Sequence, residues 1–89
     1  MKGYYTVKLV GDHFRSSERM ALEAKYAAAL EARLGGPERA LVLILEAATD
    51  GGRMTAVRAA CALAEAAVWA DNPLPEARFE IEAFTALDL

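Results

Sequence analysis

Five consecutive large aliphatic residues, Leu41-Val42-Leu43-Ile44-Leu45, sit in the middle of a chain otherwise padded with alanine. No other stretch is so apolar, so the rest of the fold has to be arranged around it. A short continuous apolar run fits either a buried strand or a segment of buried helix, and periodicity alone does not separate the two. Five residues with two β-branched members favour a strand, in which Leu41, Leu43 and Leu45 face one way and Val42 and Ile44 the other. A helix from Gly36-Pro37 onward is the alternative, since proline is favoured in the first helical position. Leu41, Ile44, Leu45 and Ala48 would then share a face.

The flanking segments are easier to read. Tyr4 to Val10 alternates, with Tyr5, Val7 and Leu9 on one side and Tyr4, Thr6 and Lys8 on the other, as in a half-buried strand. Gly11-Asp12 breaks it. Ser16 or Ser17 is placed to cap a helix, with Glu18 in the favourable first turn. Glu18 to Leu34 consists almost wholly of strong helix formers, with a ridge at Leu22, Tyr26, Leu30 and Leu34, and Gly35-Gly36 ends it. Thr49 to Gly52 is a turn signal. A second helix is expected over 54–70, with Met54, Val57, Cys61, Ala64 and Val68 at spacings of three and four, flanked by Ala60, Leu63 and Ala67. Asp71 to Pro75 stops it. Ala77 to Thr85 alternates again, with Phe79, Ile81 and Ala83 against Arg78, Glu80, Glu82 and Phe84.

The expected architecture is therefore a single α/β (α+β) domain over 1–89. It is a small two-layer sandwich of order β-α-β-α-β, with the aliphatic run as central strand and both helices on one face. The alternative, with 38–50 helical, is β-α-α-α-β.

Eighty-nine residues bury only about 60–65% of the unfolded surface. Twenty of them are alanines that add little burial energy each. A small core with one very apolar segment points to oligomerisation as a further source of burial. The formal charge of −3 and the scattered basic residues argue against nucleic-acid binding. The lone Cys61 excludes an intramolecular disulfide or a cysteine metal cluster and suits a reducing compartment. No segment approaches the ~20 apolar residues needed to span a bilayer, and no signal peptide is visible, so a cytoplasmic protein is expected.

No motif carries a catalytic or cofactor signature. Asp12 and His13, with Arg15 close by, could form a general-base pair at the end of the first strand, but no nucleophile or second histidine accompanies them. Cys61 lies on an apolar stripe and reads as core. Glu80 and Glu82 share a strand face, joined by Glu46 if the middle segment is a strand. Such carboxylates are more often solvated than metal-binding. The glycine pairs at 35–36 and 51–52 lack phosphate-loop spacing.

What remains is a surface. With a central strand, Val42 and Ile44 would lie on the open sheet face beside Tyr4 and Phe84, rimmed by Lys8, Glu46, Glu80 and Glu82, as an interface would be. Trp69, on the polar side of its helix, is a second candidate anchor. The function expected is a non-enzymatic protein–protein interaction domain that forms a homodimer through this face, with no cofactor, nucleic acid or membrane. The alternatives are a small acidic inhibitor of a host complex carried by a phage or mobile element, similar in kind to anti-CRISPR proteins, and a small enzyme centred on Asp12 and His13.

Overall fold

A computed structural model describes residues 3–11, 14–49, 55–70 and 77–85. The order is β1 (Gly3–Val10), α1 (Ser16–Arg33), α2 (Pro37–Thr49), α3 (Thr55–Trp69) and β2 (Arg78–Thr85). The aliphatic run is thus helical. The three-stranded β-α-β-α-β expectation gives way to the β-α-α-α-β alternative. With no central strand, β1 and β2 pair directly and antiparallel, from Gly3 opposite Thr85 to Val10 opposite Arg78.

The flanks explain the helix. At the end of α1, Gly35 and Gly36 take φ values of +93° and +115°, where a side chain would be strained. The Gly36 N–H donates to the Glu31 carbonyl at 2.8 Å, closing α1. The Gly36 carbonyl accepts from the Ala40 N–H at 2.9 Å, opening α2. One glycine therefore ends one helix and starts the next, with Pro37 supplying a preset φ in the first position. Beyond the run, Glu46-Ala47-Ala48 continue with good helix formers. The cost of Val42 and Ile44 in a helix, about half a kcal/mol each, is small beside the burial that the helix gains.

That burial follows one face. Ala40, Ile44 and Ala47 are sealed in the core, while Glu38, Arg39, Val42 and Glu46 are exposed at helical spacing. Leu45 turns under the start of β1. A Cβ on Gly3 would fall 2.9 Å from Leu45 Cδ1 and 2.6 Å from the Phe84 carbonyl oxygen, so this close approach depends on glycine.

α1 and α3 supply the rest of the core. Tyr26 and Leu30 of α1, Val57, Ala64 and Val68 of α3, and Leu9 and Phe79 of the sheet are all buried. Phe79 lies between two rings, with centroids 4.2 Å from Tyr26 and 5.4 Å from Trp69. The expected α1 ridge is present, as is the alternation of both strands. Two local expectations fail. The residue before α1 is Arg15, with no side-chain cap from Ser16 or Ser17, and the first turn is closed by Arg19 N–H on the Arg15 carbonyl. Leu63 and Ala67 face solvent, because the buried arc of α3 centres on Ala64 and passes them by.

Candidate interaction surface

α1 and α2 pack on the Leu9–Phe79 face of the sheet, α3 packs chiefly on α1 and reaches Phe79 through Trp69, and the described side chains of the opposite face are mostly exposed. Along it the side chains descend in rows set by the register: Tyr4 with Phe84, Thr6 with Glu82, Lys8 with Glu80, and Val10 with Arg78. Tyr4 and Phe84 stack at 5.0 Å between centroids and 22° between planes, yet remain 56% and 40% exposed. Stacking buries one side of each ring and leaves the other wet. Below them the face becomes charged. Arg78 donates to Glu80 at 3.0 Å, an exposed pair that contributes little to stability.

Two of the expected surface residues lie elsewhere. Ile44 is fully buried in the α2 core stripe, and Val42 is exposed on the outer side of α2, so neither belongs to the sheet face. Helical geometry separates them by 200°, whereas in a strand they would have shared a face. Glu46 likewise sits exposed on α2 rather than beside Glu80 and Glu82, which dissolves the three-carboxylate cluster. Among the described residues no group of three acidic, histidine or cysteine side chains could hold a metal ion. Trp69 is half-buried against Phe79, and its Nε1 is enclosed without a hydrogen-bond partner among the described residues. It therefore serves the interior more than the surface. Asp12 and His13 lie outside the described residues; Arg15 is exposed and 4.0 Å from Glu18.

The two edges of the sheet differ. On β1, the Leu9 N–H donates to Glu23 Oε2 at 2.8 Å, and the Arg19 guanidinium donates to the Leu9 carbonyl and, at 3.1 Å, to that of Gly11. Tyr5 adds a hydrogen bond from its hydroxyl to Glu31. Arg19 and Glu23, four residues apart on one side of α1, cap the β1 edge at its Leu9 end, while Glu31, eight residues further on, holds the Tyr5 side chain. The edge contacts also set the phase of the ladder. Leu9 directs its backbone groups outward, so Leu9 and Phe79 are a non-hydrogen-bonded pair. By alternation, the backbone groups of Phe79, Ile81 and Ala83 point away from β1 on the other edge. They have no partner among the described residues. None of this was legible in advance, because Arg19, Glu23 and Glu31 look like ordinary solvated helix charges.

The thiol of Cys61 is half-buried beside the Tyr26 hydroxyl. Burial pushes both groups' pKa values up, and Glu65 adds to the shift. A thiol held protonated is a poor nucleophile.

Comparison with protein-family profiles, with curated proteins and with solved structures finds no match. Among the described residues no helix is long and apolar enough to cross a membrane.

Proposed function

We propose that this domain is a non-enzymatic protein-contact module whose docking face is the open side of the β1–β2 sheet, anchored by Tyr4 and Phe84. The exposed, stacked aromatic pair supports this reading most directly. Two rings are already ordered against each other in the free protein, so a partner gains their apolar surface at low entropic cost. The charged rows beyond them form a polar margin, with Lys8 and Arg78 countered by Glu80 and Glu82.

The loss of Val42 and Ile44 from this face changes the kind of contact it favours. Two aromatic side chains suffice as the anchor of a larger interface, but they are too little apolar area for two such faces to form a stable dimer by themselves. The face therefore suits a different protein that brings its own apolar pocket. Affinity capture with the wild-type chain and with the double variant Tyr4→Lys/Phe84→Lys tests this. A partner retained by the first and lost by the second, at equal melting temperature, is the expected result. Equal retention by both would refute the role of the face.

A further inference from the structure

The two edges of this sheet differ where β1 ends: Leu9 is capped on its outward side while, among the described residues, its neighbour on β2 is not, and this difference says more than the face does. α1 uses Arg19 and Glu23 to saturate the backbone of β1 at Leu9 and Gly11. The β2 edge receives no such cover among the described residues, and an unpaired strand edge is a template for another strand. We propose that the free edge of β2 pairs antiparallel with the same edge of a second copy, joining two two-stranded sheets into one of four strands. This goes beyond the docking face described above and does not depend on it.

Charge selects the second copy and fixes the register. The outward sequence Arg78, Glu80, Glu82 is self-complementary about Glu80. With the two-fold axis there, Arg78 stands opposite the second copy's Glu82, twice by symmetry, on the open face. On the inner face Phe79 stands opposite the second copy's Ile81, again twice, an aromatic–β-branched pair of the kind that stabilises sheets. Because Phe79 and Ile81 both aim their backbone groups outward, these are hydrogen-bonded pairs, about four backbone bonds in all. Glu80 meets Glu80 once, but each already accepts from its own Arg78 at 3.0 Å and stands across from Lys8.

Neighbouring registers are worse. An axis at Ile81 sets Glu80 against Glu82 twice and strands Arg78 opposite Phe84. An axis at Phe79 pairs Arg78 with Glu80 but shortens the overlap of described residues to 77–81. The Glu80 register also matches inner face to inner face, so the helices of both copies stay on one side and the two Tyr4–Phe84 pairs share the other.

Sedimentation of the full chain over a concentration series reads the outcome. The wild type is expected to dimerise. Glu82→Arg turns two attractive pairs into two repulsive ones and is expected to weaken the dimer about tenfold or more. The swap Arg78→Glu/Glu82→Arg restores the pairing and is expected to recover most of the loss. All three positions of change are exposed, and circular dichroism checks that each variant keeps the fold. Tyr4→Lys, on the far strand, should leave the dimer intact. A dimer indifferent to Glu82→Arg, or one dissolved by Tyr4→Lys, overturns edge pairing and places the contact elsewhere. A wild-type chain monomeric up to about 0.1 mM overturns it as well, leaving the β2 edge to a strand of another protein. Neither result bears on the capture experiment for the docking face.

Discussion

Replacing Ile44 and Val42 by alanine, one at a time, distinguishes a helical aliphatic run from a stranded one by the contrast between the two losses. Ile44 is fully buried between α2 and the rest of the core, so Ile44→Ala removes several packed carbons and leaves a cavity. Such changes cost about 2–5 kcal/mol, of which alanine's better helix propensity returns about 0.5 kcal/mol. A domain of this size has roughly 4–13 kcal/mol of stability in total, so a net loss near 3 kcal/mol should lower the melting temperature by about 12–24 °C. Val42 is 45% exposed on the far side of the same helix. There the propensity gain roughly cancels the lost partial burial, and Val42→Ala should fall within about 0.5 kcal/mol of wild type. On an open sheet face the opposite is expected, with Val42→Ala clearly destabilising through lost β propensity. Urea unfolding followed by circular dichroism measures both, with unchanged m-values confirming that the same transition is compared. Equal losses for the two variants, or a loss below about 1 kcal/mol for Ile44→Ala, would refute the helical placement.

Two further outcomes follow from the interior polar contacts. Glu23→Ala leaves the Leu9 N–H without its acceptor and should cost about 1–3 kcal/mol, while Glu23→Gln keeps an acceptor and should cost less; chemical denaturation of the pair separates the hydrogen bond from the packing, and equal losses would remove the bond from the account. Tyr5 and Tyr26 both have pKa values pushed well above the ordinary 10.0, chiefly by burial, then by the hydrogen bonds to Glu31 and Cys61 respectively. The folded state holds these protons where the unfolded chain releases them, so their contribution is complete below pH 10 and declines as the pH rises beyond it. Tyrosinate absorbance should show Tyr5 and Tyr26 ionising only together with unfolding; ionisation of either in the folded state would contradict the burial.

Most elements were legible because their signal is local. Alternation at Tyr4–Val10 and Phe79–Phe84 needs only a wet and a dry face, and the Leu22-Tyr26-Leu30-Leu34 ridge needs only helical spacing. The aliphatic run was misjudged because its shortness and two β-branched residues were weighed above its flanks. Glu38, Arg39 and Glu46 fall on one helical stripe, and Gly36-Pro37 provides a start, so a span of thirteen residues carries an amphipathic pattern that the five central residues hide. The open face was legible at Tyr4 and Phe84 and wrong at Ile44 for the same reason. The capping of β1 at Leu9 had no local signal at all. It depends on α1 lying alongside β1, a tertiary fact that turns surface charges into backbone caps.

The pairing of β1 with β2 closes a loop around all three helices, and this orders events in time. A contact of such long sequence separation forms late, because the intervening chain must first be compacted. During synthesis β1 leaves the ribosome long before β2 exists, with both of its edges bare. Arg19 and Glu23 follow it within one helix and can engage Leu9 and Gly11 without waiting for the last strand. The clamp on Leu9 comes from groups ten and fourteen residues away and so does not depend on the last strand, which makes the end of β1 the part of the sheet that can be fixed first.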